Sequence, residues 1–207
     1  MTPRVTVSRR ARFRALIEEA GACTRCPAMC RKTAVLSKLN GNVNAQILVI
    51  GEAPGRKGVD RTRIPFSGDQ SGKNFDRYLS SINVTRDQIF ITSAALCNPQ
   101  TASGANRRPT QRELSNCSEF LSRTIELVNP RLVVTLGSVA LDAVRRINHH
   151  QLTLKEHVRK AHEWAGRVLL PIYHPSPQVL ASHRREGDQL RDYKAVAHQI
   201  GLLGTYE

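Results

Sequence analysis

VLLPIYHPSPQVL, residues 168–180, decides how the rest of the chain is read. Its first six residues form an apolar run of strand length, too short for an ordinary helix. The run stops at His174, and the prolines at 175 and 177 oppose its continuation in either regular structure. A strand that ends on a histidine and a proline turn aims an imidazole beyond the edge of its sheet.

Three other apolar runs share that form: QILVI at 46–50, IFIT at 89–92 and LVVTL at 132–136. Helical periodicity covers 9–20, 71–82, 110–128, 138–147 and 188–202, and Thr110 and Glu113 in TQRE stand at capping-box spacing. Strands alternating with helices predict an α/β fold, a three-layer α/β/α sandwich around a central four-stranded parallel sheet. No repeat, low-complexity tract or linker interrupts the pattern, so residues 1–207 are expected to form one domain. In such sheets ligands bind beyond the carboxyl ends of the strands. The four runs lead into GEAPG, SAALC, GSVA and HPSP respectively. Glycine, proline and polar side chains therefore gather on the edge that His174 faces.

The chain has 31 Lys and Arg against 17 Asp and Glu, a net charge of +14. That excess favours a polyanionic partner, nucleic acid ahead of an acidic membrane. No stretch approaches the ~20 apolar residues of a membrane span. The N-terminal segment lacks the apolar core and cleavage signal of a secretory leader, although its arginine-rich, acid-poor opening shares features with organellar presequences. A monomer in the reducing cytoplasm is the expectation.

There, five cysteines at 23, 26, 30, 97 and 117 read as metal ligands rather than disulfides. Cys23 and Cys26 in CTRC place two thiolates within reach of one centre, and Cys97 and Cys117 would complete a four-thiolate shell. Cys30 is left over, either free or standing in for one of the four. Zinc and iron–sulfur both suit such a set. A redox dithiol fits less well, because no strand precedes CTRC.

Glu52 in GEAPG comes directly after a strand, between glycines that allow close backbone approach. RIPFSGDQSG at 63–72 offers Phe66 in a loop, with an exposed look, and Asp69 where a helix N-cap would fall. Catalysis and capping are both open to Asp69. His174 can donate to a developing negative charge without being protonated. SPQVLASHRR then supplies Ser176, Pro177, Gln178, Arg184 and Arg185 for contact with phosphates.

Taken in order along the chain, these elements resemble the iron–sulfur members of the uracil-DNA glycosylase superfamily, families 4 and 5. The shared elements are C-x-x-C, GE-PG, PF-G, a cysteine after the second strand, another in the next helix, and HPS. The resemblance implies a [4Fe–4S] cluster held by Cys23, Cys26, Cys97 and Cys117, leaving Cys30 outside. It implies excision of uracil from DNA, with the nucleotide flipped into a pocket and its N-glycosidic bond hydrolysed. His174 would donate to the uracil carbonyl and Phe66 would stack on the base, with Gly51 and Ala53 beside it. GEAPG matches family 4 and nominates Glu52 as the catalytic carboxylate; GDQSG matches family 5 and nominates Asp69. Glu52 is placed slightly ahead.

Family 4 carries an asparagine where this chain has Ser93, and a serine cannot make the same bidentate contact. Other deaminated bases, hypoxanthine or xanthine, then become candidate substrates. Asn106 in GANRRPT would substitute if its loop folds over the pocket. The rival reading is a nucleic-acid-binding module with a structural four-cysteine metal site and no catalysis.

Overall fold

The computed structural model describes residues 8–29, 33–182 and 184–204. Cys30 lies outside the described residues. The four expected strands form: β1 (Ile47–Gly51), β2 (Ile89–Ser93), β3 (Leu132–Leu136) and, after a short β4 (His162–Trp164), β5 (Arg167–Ile172). The sheet order is β2-β1-β3-β5-β4. The first four in that order are mutually parallel, in registers such as Ile47 opposite Ile89 and Leu132, and Leu132 opposite Val168.

The sheet therefore has five strands rather than four. β4 pairs antiparallel with β5 through His162 opposite Leu169 and Trp164 opposite Arg167. Its turn places Ala165 at φ 49° and Gly166 at φ 69°, the left-handed pair of a tight hairpin. Trp164 is buried at this edge and its indole N–H donates to the Asn148 carbonyl at 2.8 Å.

The helices are α1 (Arg9–Gly21), α2 (Val59–Thr62), α3 (Gln70–Ser80), α4 (Gln111–Val128), α5 (Ser138–Arg145), α6 (Leu154–His157), α7 (Pro177–Ser182) and α8 (Glu186–Gly204). The five long expected helices correspond to α1, α3, α4, α5 and α8. Thr110 caps α4 as its spacing foretells: its side chain accepts from the Glu113 amide, and Glu113 accepts in return from the Thr110 amide. No described helix is long and apolar enough to cross a membrane.

Alternation along the strands sorts the core into two layers, because successive side chains point to opposite faces. Leu48, Ile50, Phe90, Val133 and Leu169 pack with α1, α4 and α5. Ile47, Val49, Ile91, Val134 and Ile172 pack with α3 and α8. Both faces being covered explains why the strands read as unbroken apolar runs. The chain crosses from β1 outward to β2, then back past β1 to β3. The point where that order reverses, beyond the ends of β1 and β3, is where a crevice opens in such sheets.

Candidate active site

A cleft of about 1190 Å³ occupies this position. All four parallel strands reach it: Gly51 from β1, Ser93 from β2, Leu136 from β3 and His174 just past β5. Glu52, Asp69 and Phe66 also line it, so the loops that the sequence nominates meet around one space.

His174 is held through its backbone. Gln189 Nε2 donates to the His174 carbonyl at 3.0 Å, and Asn74 Nδ2 donates to the Pro175 carbonyl at 2.9 Å. Gln189 and Asn74 are both buried. The imidazole lies 5.4 Å from the Phe66 ring, centroid to centroid. Burial pushes its pKa down to about 4, with the nearby Asp69 charge opposing. At neutral pH the ring is uncharged and serves as a neutral hydrogen-bond donor or acceptor.

Phe66 is not the exposed aromatic that its loop suggested; it is 8% exposed. Its ring stacks on Phe75 at 4.5 Å and covers Gly51, where a Cβ would meet two of its carbons at 3.2 Å. The backbone at Phe66 adopts φ 51°, a left-handed conformation uncommon for a bulky residue. Arg86 fixes it by donating to the Pro65 and Phe66 carbonyls at 2.7 and 2.6 Å, while its Nε meets Asp76 at 2.7 Å.

The two carboxylates are held differently. Asp69 is the N-cap of α3: Oδ1 accepts from the Gly72 amide at 2.9 Å. Its Oδ2 crowds Gly58 and Gly55, where added Cβ atoms would stand 2.6 and 3.4 Å from it. Capping therefore occupies one oxygen and leaves the other at the cleft. Glu52 has its pKa raised by burial, opposed by Arg108, whose guanidinium donates to the Ser138 hydroxyl at 2.9 Å.

Ser93 ends β2 beside the Phe66 ring, with its Oγ 3.8 Å from the position of a Gly51 Cβ. Asn106 is surface-exposed yet lines the cleft, its loop folded back on GEAPG. Its Oδ1 accepts from the Arg56 amide at 3.0 Å and from Asn98 Nδ2 at 3.1 Å. Asn98, Asn74 and Gln189 belong to no motif, and sequence reasoning missed all three. No local pattern in the sequence marks them, since each acts on a residue distant along the chain.

Beyond His174, Ser176 Oγ accepts from the Val179 amide at the start of α7, and Pro177 and Gln178 are exposed at the cleft rim. Arg184 and Arg185 part company. Arg184 turns inward, with Nη2 2.5 Å from the buried Asp192 and its guanidinium 4.8 Å from the Tyr173 ring centroid. It is a strut, not a free phosphate ligand. Arg185 is exposed.

The cysteines lie on the α1–α4 side. Cys117 is buried and Cys23 and Cys97 pack against the same apolar layer. Asn116 Nδ2 donates to Cys26 Sγ at 3.3 Å and to the Arg25 carbonyl at 2.8 Å, tying CTRC to α4. Burial pushes the Cys97 thiol up to about 12, and the charges of Cys117, Cys23 and Cys26 push the same way. Cys117 is pushed up to about 11, again by burial first, with Cys26 and Cys23 contributing. Among the described residues, no three His, Cys, Asp or Glu side chains are grouped for a single metal ion.

The sequence profile of the Uracil DNA glycosylase superfamily matches residues 40–197. The type-4 uracil-DNA glycosylase of Archaeoglobus fulgidus is 30% identical over 191 residues, covering 90% of this chain and 92% of its own. The type-5 uracil-DNA glycosylase of Pyrobaculum aerophilum is 32% identical over 183 residues, covering 75% and 78%. Similarity to both types at nearly equal identity matches the mixture of their motifs around Glu52 and Asp69. With the profile spanning both the strand ends and the loops that close the cleft, the chain belongs to the Uracil DNA glycosylase superfamily.

Proposed function

We propose that this protein excises uracil from DNA as a monofunctional glycosylase, hydrolysing the N-glycosidic bond and leaving an abasic site. The observation that carries the reading is a neutral imidazole, His174, sharing one cleft with two carboxylates and a buried aromatic ring. Bond cleavage builds positive charge on the sugar and negative charge on the departing base. The negative side is met by His174 as a fixed donor, the form of stabilisation worth ~3 kcal/mol per donor. The positive side is met by the carboxylates. Glu52, with its pKa raised, suits the acceptor of a proton from the attacking water. Asp69, tethered as an N-cap, suits a fixed negative charge.

The flipped base stacks on Phe66, which Phe75 backs, beside Gly51 and Ala53, with Ser93 and Asn106 at its polar edge. Gln178, Pro177 and Ser176 at the rim, and the exposed Arg185 further along the chain, take the DNA backbone. Ser93 widens the expected range to other deaminated bases. The test is incubation with matched duplexes containing uracil, hypoxanthine or xanthine, then alkaline cleavage. Binding without release of any base would favour the non-catalytic module instead.

A [4Fe–4S] cluster fits the cysteine side. Support comes from the donor chemistry: Cys117 within an apolar layer, Cys23 and Cys97 packed against it, and Cys26 tied to the helix of Cys117 through Asn116. Cys23, Cys26, Cys97 and Cys117 would be the ligands. When bound, the cluster supplies a structural anchor beneath the DNA-facing loops, and no step of base release runs through it.

A further inference from the structure

Asn98 sits one residue beyond Cys97, 1% exposed, on the wall of the cleft. The chemistry of its neighbours fixes which way round its amide stands. Nδ2 lies 2.5 Å from the Pro54 carbonyl, which can only accept, so the NH2 group must face it. The same NH2 reaches Asn106 Oδ1 at 3.1 Å. The Arg56 amide, which can only donate, reaches that oxygen from another side at 3.0 Å. Two donors on Oδ1 leave no freedom for the Asn106 amide to turn over. Its NH2 group is therefore directed to Gly55, where a Cβ would stand 3.6 Å from Nδ2 and 3.4 Å from Asp69 Oδ2. A donor and an acidic acceptor thus flank one spot at the cleft wall.

Asn98 Oδ1, meanwhile, is buried with no partner among the described residues. A side chain kept only for packing would not need an amide with one end unsatisfied. We propose that Asn98 is a positioning residue that sets the polarity of Asn106, so that the cleft presents an amide donor instead of an amide oxygen. This rests on the reading of the cleft as a base pocket. It names the substrate feature selected: a base edge carrying a carbonyl acceptor, as uracil and hypoxanthine do, over one presenting an exocyclic amino group, as cytosine does.

The test is a double-mutant cycle between positions 98 and 106. Asn98→Asp replaces the clamping donor by an acceptor, which favours turning the Asn106 amide so that its oxygen enters the cleft. Uracil release should fall about a hundredfold. Asn98→Ala, which leaves the Arg56 amide as the sole clamp, should cost about tenfold and serves if the aspartate variant folds poorly. In an Asn106→Ala background either change at 98 should have little further effect. The same cycle is read in equilibrium binding to duplexes carrying 2′-fluoro-2′-deoxyuridine, which resists hydrolysis, against otherwise identical duplexes carrying thymidine. Additive losses at 98 and 106 would overturn the inference alone. A parent protein that neither releases uracil nor prefers the fluorinated probe would overturn the functional reading, and the inference with it.

Discussion

The cleft and the cysteine face are held by different means. Around the cleft, polar side chains grip backbone: Gln189 and Asn74 hold the turn at His174, Arg86 holds the carbonyl of Phe66, and the Arg56 amide joins Asn98 on Asn106. The cysteine face relies on burial, which drives up the pKa values of the Cys97 and Cys117 thiols, with neighbouring sulfurs adding to the effect. One region is preorganised by the chain itself. The other concentrates groups that would be strongly favoured by a bound cation. Substitutions in the first should therefore cost rate, and in the second, folded protein.

The largest contrast is expected from Cys97→Ser. On the cluster reading, the variant loses its visible thiolate-to-iron absorption and melts at least about 10 °C lower, the equivalent of a few kcal/mol in a chain of this size. A colourless parent protein purified without air would remove the cluster from that side of the comparison. Next, His174→Ala should lower single-turnover release of uracil about a hundredfold, with melting shifted by only a few degrees. A collapse in stability as large as that of the cysteine variant would erase the distinction between the two regions.

Arg184→Ala tests whether the support behind Tyr173, which lines the cleft, is pure framework. Asp192 is fully buried, and its remaining cation, Arg159, stands 3.6 Å away. Breaking the pair should cost about 3 kcal/mol of stability, because a buried charge loses its main partner.

Acidity sharpens the comparison further. With its pKa raised, Glu52 should put the acid limb of the rate profile above the usual glutamate range, and Glu52→Gln should abolish the limb along with most of the activity. His174 should add no limb near neutrality. It contributes instead to stability, since its folded pKa of about 4 lies below the ordinary histidine value of 6.5. Between those values the unfolded chain holds the extra proton, so stability falls as pH drops through that window, by at most about 3 kcal/mol. Thermal melts of the parent and His174→Gln across that range check the sign. The smallest effect belongs to Arg185→Ala, which should leave melting unchanged and reduce the salt slope of DNA binding by about one.

The sheet was legible because each parallel strand is buried on both faces and leaves an apolar run in the sequence. β4 left none. HEW is short and largely polar, and its hairpin uses Ala165 at positive φ, where an asparagine or glycine would have announced the turn. The strand-end rule located Glu52, Phe66, Asp69 and His174 in one cleft, since loops leaving neighbouring parallel strands have no other place to meet. Relationships between distant side chains stayed hidden. Nothing in SHRR tells one arginine from the next until Asp192 is found beneath the first. Nothing in CNPQ marks Asn98 until the carbonyl of Pro54 is placed against it.

Gly72 sits in the first turn of α3, a position where alanine is ordinarily welcome. A methyl group there would come within 2.4 Å of the Phe66 carbonyl oxygen and 2.8 Å of its carbon. The tilt of the aromatic plate is thus moulded by a residue on a neighbouring element, through backbone instead of through the ring. Enlarging this enclosure for a bulkier lesion means recasting the turn and the helix start together, and exchanging the phenylalanine alone would leave the mould intact.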